Sequence, residues 1–251
     1  MSDVLVWAGA LGTLGAIVGS FVAALVIRWP EGRSVVHGRS ACDACGRTLG
    51  ARDLVPLISA LLLRGRCRTC GAAIDPRHWQ IESIAAAIGM FAGIAAPSPV
   101  GLAGATFGWL LLALAALDIA ALWLPDRLTG ALAAAGLATG ALGVAPAIDE
   151  RAIGGAAGFL ALWLVATTYR LVRGREGMGG GDPKLFGAIG LWLGWRMLPA
   201  VLLLASLVGL AAVLVAMLRG GRMARDTPLP FGALLAVAAY PAWVVMIGSA
   251  P

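Results

Sequence analysis

The chain has 251 residues, 60% of them hydrophobic and 13% charged, with a mean hydropathy of +0.88. Soluble domains are roughly 45–50% apolar and about 25% charged. The composition therefore excludes a water-soluble enzyme, a disordered chain, a coiled coil and a disulfide-rich secreted scaffold, and leaves a polytopic all-α membrane protein.

A bilayer-crossing helix needs about 20 mostly apolar residues. Residues 4–27 form the first such run. Only Asp3 and no basic stretch precedes it, and it is too long for a signal-peptide core. Further runs lie at 81–96, 101–123, 128–148, 152–172, 185–198, 199–218 and 228–248, so the sequence predicts about eight transmembrane helices. The run at 185–198 is short, and is read as a broken or re-entrant element or as one that begins in the preceding loop.

The cations orient these spans. Residues 28–80 carry Arg28, Arg33, Arg39, Arg47, Arg52, Arg64, Arg66, Arg68 and Arg77. Arg127, then Arg170, Arg173, Arg175 and Lys184, then Arg219, Arg222 and Arg225 fall in alternate loops, and of all 19 Lys and Arg only Arg151 and Arg196 fall opposite. The positive-inside bias then places 28–80 in the cytoplasm and both termini outside. It accounts for the net charge of +6 through the lipid bilayer, with no nucleic-acid partner. Small residues at four-residue spacing (Gly15/Gly19, Gly104/Gly108, Gly136/Gly140, Gly154/Gly158 and Gly190/Gly194) read as helix-packing faces.

All four cysteines lie in the 28–80 loop, as Cys42-Asp43-Ala44-Cys45-Gly46 and Cys67-Arg68-Thr69-Cys70-Gly71. Two C-x-x-C turns at this separation have the spacing of a four-cysteine zinc site, which is closed and structural because four thiolates fill the tetrahedron. The alternative is a set of reduced structural or redox thiols. His78 is placed to substitute for a ligand, although it and His37 also suit ordinary loop positions. The apolar stretches 54–58 and 60–63 are too short to span, and are expected to pack on the cysteine module or lie at the membrane surface.

Carboxylates inside spans are costly, and each is a functional candidate. Asp118 lies within the third span, five residues before Trp123. Asp126 follows Pro125, which breaks the helix, and reads either as an N-cap of the fourth span or as a catalytic acid. Asp182 ends the glycine-rich stretch 177–181, and with Pro183 it reads as N-cap and N1 of the sixth span or as a functional carboxylate. The loop lacks phosphate-cradle spacing. Topology brings Asp118 and Asp182 to the same face, where a close pair would share one proton and work as acid and base.

Taken together, these residues resemble the prepilin peptidases. The resemblance rests on Gly19-Ser20-Phe21 followed by Arg28 and Pro30, and on the two C-x-x-C units with Pro56-Leu57-Ile58-Ser59, Leu63-Arg64-Gly65-Arg66 and Ile81-Glu82. It rests further on Asp118 with Leu124-Pro125-Asp126-Arg127-Leu128-Thr129, and on Gly179-Gly180-Gly181-Asp182-Pro183-Lys184-Leu185, similar to the family's G-x-G-D-x-K signature. It implies a multi-pass aspartic endopeptidase of the bacterial inner membrane. Such an enzyme cuts the leader of type IV prepilin or pseudopilin precursors on the cytoplasmic side, after a Gly, in pilus assembly or type II secretion. By the same resemblance Asp118 and Asp182 are the catalytic pair, supported by Asp126, Lys184, Gly179 and Gly181. Cys42, Cys45, Cys67 and Cys70 hold zinc, and S-adenosylmethionine serves N-methylation of the new N-terminus. The implied division is a first transmembrane helix (1–27), a cytoplasmic zinc loop tied to methylation (28–80) and a transmembrane peptidase domain (81–251).

The chain departs from the family pattern at Ala23, Leu54 and His78-Trp79, all in the methylation-associated part, so proteolysis is the better supported activity. Two rivals remain: a peptidase whose zinc loop is only structural, and a proton- or cation-coupled transporter. A transporter calls for acids nearer the midplane or for an inverted repeat.

Overall fold

The computed structural model describes residues 2–35, 37–220 and 228–248; Arg222 and Arg225, two of the topology-setting cations, lie outside the described residues. Among the described residues there are nine α-helices: α1 (Ser2–Arg28), α2 (Ile58–Leu62), α3 (Arg77–Ala95), α4 (Pro99–Ala121), α5 (Asp126–Ala141), α6 (Ile148–Arg173), α7 (Gly181–Leu193), α8 (Leu198–Leu218) and α9 (Phe231–Gly248). The eight long ones stand at the eight apolar runs. Five stretches are long and apolar enough to cross a bilayer: Ser2–Glu31, Pro99–Ala121, Ile148–Arg173, Trp195–Leu218 and Phe231–Gly248. The chain is thus a multi-pass membrane protein, with five such stretches among the described residues where the sequence predicts about eight. In α3 the first turns carry Arg77, His78 and Glu82. The 16 residues of α5 and 13 of α7 rise only about 24 and 20 Å, short of a hydrocarbon core about 30 Å thick.

Two boundaries differ from expectation for physical reasons. The fourth run was read to residue 148, yet α5 ends at Ala141. The turn beyond it aims its carbonyls at Arg151, which a continued helix would not allow. The short sixth run does begin in the glycine-rich loop, since α7 starts at Gly181, and it stops at Gly194 (φ +70°), where only glycine is at ease. A short 3-10 turn, Trp195–Met197, then leads into α8.

The chain forms two compact units, Met1–Trp109 and Leu110–Pro251. In the first, α1 and α3 lie antiparallel with backbones in contact. A methyl group on Gly15 would overlap the Ala85 carbonyl, and one on Gly19 would fall 2.7 Å from Cα of Glu82. From the other side, Gly89 meets Leu11, and Gly93 meets Trp7. Small residues do here what apolar burial does in water, since packing is the main attraction between helices in lipid. Trp109 closes the pair by donating its Nε1–H to the Ala85 carbonyl at 2.9 Å.

In the second unit α6 and α7 approach through Gly154 against Gly190 and Gly158 against Phe186. Trp192 of α7 donates to the Leu132 carbonyl of α5 at 2.7 Å. Arg151, 1% exposed, ties this corner together. Its Nε donates to Pro146, its Nη1 to Gly136 and Leu191, and its Nη2 to Val144 and Ala145, all carbonyls at 2.8–3.0 Å. A guanidinium has five N–H donors, and here each finds a backbone carbonyl of α5, of α7 or of the turn after α5.

Candidate active site and metal centre

The cysteine loop folds as two copies of one knuckle, related by a shift of 25 residues. In the first, Cys42 N–H donates to Arg47, Gly46 to Cys42 and Leu49 to Ser40; in the second, Cys67 donates to Ala72, Gly71 to Cys67 and Ile74 to Gly65. The turn glycines, Gly46 and Gly71, have φ of +69° and +71°. This explains why each C-x-x-C is followed by Gly. All four Sγ atoms lie within 4.8 Å of one another, and Cys42 and Cys70 are 3.8 Å apart. Ligands about 2.3 Å from a tetrahedral metal sit about 3.8 Å apart, so four free thiols in this arrangement fit a metal ion. Neither His37 nor His78 belongs to the cluster.

The backbone N–H groups of Cys70 and Thr69 draw the Cys67 thiol down to about 6. At Cys70 the Ala72 amide pulls downward, but burial and the neighbouring thiols Cys67, Cys45 and Cys42 push it up to about 11. Cys67 thus gives up its proton more readily than Cys70, and a cation held by the thiolates would relieve their mutual repulsion.

One carboxylate braces the two knuckles. Asp53, its side chain 7% exposed, accepts from Arg47 of the first at 2.6 Å and from Arg68 of the second at 3.0 Å. Arg47 also donates to Thr69 at 2.7 Å. The Gly50 N–H, then Arg68 and Arg47, hold the Asp53 carboxyl below the usual carboxylate range.

The intramembrane aspartates lie in the second unit. Asp118, 5% exposed, is in the last turn of α4. Its Oδ2 accepts the backbone N–H of Ala233 at 2.8 Å, one of the first-turn amides that α9 leaves without a helical partner. Asp182, 6% exposed, sits in the first turn of α7. Each carboxylate therefore sits at a helix start. Leu124 touches both starts: its side chain meets Gly181, the neighbour of Asp182, and Gly232, the neighbour of Ala233. A methyl group on Gly181 would lie 2.8 Å from Leu124 Cβ, and one on Gly232 would lie 3.0 Å from the Asp118 carboxylate. The two carboxylates are near enough for a charge on one to act on the other. Gly179 lies beside Asp182, its added methyl 3.4 Å from Oδ2.

The cap readings of Asp126 and Asp182 do not hold. The position before α5 is Pro125 and that before α7 is Gly180, neither with a side-chain cap. Each aspartate lies inside its helix, because each helix starts earlier than read. Asp126 instead pairs with Lys184 at 2.7 Å, linking the starts of α5 and α7, with both side chains largely exposed.

Three residues of weight here were not singled out as site candidates by sequence. Glu82, 7% exposed, accepts the Leu57 N–H at 2.8 Å. Asp53 and Arg151 are the others. A carboxylate at a helix start near Arg77, or an arginine following Asp149 and Glu150, reads as an ordinary surface charge. For Glu82 the burial that could have flagged it comes from Gly19 across the pair.

Residues 13–96 match the Bacterial Peptidase A24 N-terminal domain and residues 105–214 match the Type IV leader peptidase family. The chain is similar to a prepilin leader peptidase/N-methyltransferase of Burkholderia pseudomallei, with 40% identity over 89% of this chain and 80% of that protein. Proteins of the same name from Aeromonas hydrophila (39% identity, 83% and 71% covered) and Dickeya chrysanthemi (37%, 92% and 90%) are also similar. No solved structure matches. With 40% identity across most of both chains and a family match over the segment that holds the aspartates, the chain belongs to the type IV leader peptidase family.

Proposed function

We propose that the chain is an aspartic endopeptidase that removes the leader of type IV prepilin or pseudopilin-like precursors, with Asp118 and Asp182 as its catalytic pair. What supports this reading is that two buried carboxylates lie at the starts of α9 and α7, with the Leu124 side chain against the glycine beside each start. One carboxylate acts charged and its partner protonated. The charged one takes a proton as a water oxygen attacks the scissile carbonyl carbon, while the other gives its proton to the carbonyl oxygen. When the tetrahedral intermediate collapses, a proton passes to the leaving amine and the C–N bond breaks. The water hydroxyl stays on the leader's new carboxylate. In this scheme the Ala233 amide fixes Asp118. The Asp126–Lys184 pair and Gly181 position the start of α7, and Gly179 leaves room beside the Asp182 carboxylate.

The cation distribution supports an active site at the cytoplasmic face of the bacterial inner membrane, with both termini outside. We read the metal that the four cysteines would hold as zinc, since four thiolates at tetrahedral spacing suit it and leave no open position for catalysis. The boundaries 1–27, 28–80 and 81–251 are our proposed functional division. S-adenosylmethionine would supply the methyl group to the new N-terminus. That activity follows the names of the relatives, and the residues that hold the donor are a matter for labelling.

The test uses the purified protein in proteoliposomes with a full-length precursor. Asp118→Ala and Asp182→Ala should each abolish leader removal, and normal cleavage by either would remove the assignment. Labelled S-adenosylmethionine should mark the mature N-terminus; an unlabelled product would leave the peptidase alone.

A further inference from the structure

Between the two knuckles the chain builds a short apolar projection. Ile58, Leu61 and Leu62 of α2 are 57%, 80% and 74% exposed, and Leu54 and Val55 just before it are also exposed. Arg52, Arg64 and Arg66, on either side, are exposed as well. A soluble loop would have little reason to show three large aliphatic side chains on one turn.

The projection is fixed at a definite level. Leu57 carries φ of +62°, a conformation leucine rarely adopts, and its N–H is held at 2.8 Å by Glu82. Glu82 faces Gly19 of α1. Seventeen steps separate Ser2 from Gly19, a rise of about 26 Å, which is within one hydrocarbon thickness of about 30 Å. The whole of α1, with 27 residues, rises about 40 Å and outruns that thickness by about 10 Å. With the hydrocarbon taken to begin near Ser2, the apolar turn is tethered near the opposite boundary, well below the end of α1. Trp79, in the first turn of α3, is likewise half exposed, as in the aromatic belts of membrane proteins.

We propose that residues 54–62 form an interfacial anchor: Ile58, Leu61 and Leu62 insert into the boundary of acyl chains and headgroups, and the flanking arginines rest on anionic phospholipid headgroups. Buried apolar area plus cationic attraction is the general basis of such attachment. The anchor would hold the metal module against the membrane, and Glu82 is its positioning residue, acting through Leu57.

The test places a photo-crosslinking benzophenone side chain at position 61, and separately at 58, in the full-length protein. The protein is reconstituted in vesicles of phosphatidylethanolamine and phosphatidylglycerol. Arg39, exposed elsewhere in the same loop, is the comparison position. Metal content equal to wild type shows that the knuckles remain folded, and position 58 serves if position 61 fails this check. On illumination, phospholipid adducts at 61 or 58 should exceed those at 39 roughly tenfold. They should fall severalfold in vesicles of phosphatidylcholine alone, where the arginines lack an anionic partner. Adducts no more frequent than at 39, or adducts to an added precursor in place of lipid, would overturn the proposal. Because the readout is a lipid mass, its failure is distinguishable from failure of the peptidase reading.

Discussion

Replacing Gly232 by Ala adds one methyl group in the first turn of α9. That carbon would lie 2.7 Å from Leu124 Cδ1 and 3.0 Å from Asp118 Oδ2. The leucine tip can swing away. The carboxylate is held at 2.8 Å by the Ala233 amide and must give by a few tenths of an ångström. That shift stretches the bond toward the roughly 3.2 Å limit of a good N–H···O contact. A hydrogen bond to a charged group contributes about 1.5–3 kcal/mol, so losing most of it costs about 10- to 100-fold in rate if the placement of Asp118 matters to the reaction. The assay is the initial rate of leader removal at saturating precursor, with helical content and metal content as checks on folding. Gly130→Ala is the control, since its methyl would meet nothing within 4 Å, and its kcat should equal wild type. Adding Leu124→Ala to Gly232→Ala removes the leucine conflict and leaves the carboxylate conflict, so the double variant should stay slow. A Gly232→Ala enzyme with wild-type kcat would refute the reasoning.

Arg151→Met removes five hydrogen bonds to backbone carbonyls and should destabilise the protein by about 3 kcal/mol or more. Arg151→Lys should recover only part of this, because an ammonium cannot span the same fan of acceptors; an unchanged Tm for Arg151→Met would contradict the accounting. Cys67→Ser should take metal content from about one ion per chain to nearly none, as read by elemental analysis, and full retention would disprove four-thiolate binding. Asp53, whose folded-state carboxyl is lowered, contributes stability that is present above its unfolded value of about 3.9 and is lost as pH falls through the lower folded value. The gap in Tm between metal-free wild type and metal-free Asp53→Asn should therefore be full at neutral pH and close only in strong acid, whereas a gap confined to alkaline pH would have the wrong sign.

What the sequence made legible follows from the scarcity of charge in a membrane chain. Asp118 and Asp182 stood out because few acids fall near the spans, and both prove buried in one unit. The four cysteines were legible because a metal cluster needs short local turns, which C-x-x-C-Gly encodes directly. Cap positions were not legible, since Asp126 and Asp182 each precede an apolar run as a cap would, and the true helix starts depend on tertiary contacts such as Leu124 against Gly181. The end of α5 was hidden for a similar reason. The residues after Ala141 are apolar enough to continue a helix, and only the demand of Arg151 for carbonyl acceptors shows why they do not. Asp53 and Glu82 look like ordinary loop and helix acids until the fold puts two arginines around one and a backbone amide of the loop on the other.

The central claim is that Asp118 and Asp182 together perform the cleavage. The most direct measurement is the single-turnover rate of leader removal by Asp118→Asn and Asp182→Asn, which keep side-chain shape and remove the exchangeable carboxyl proton. Each should fall by at least about a thousandfold, and the double variant should fall little further, because residues acting as one unit are not additive. Substantial cleavage by either single variant, or a double variant slower by the product of two modest losses, would contradict the account.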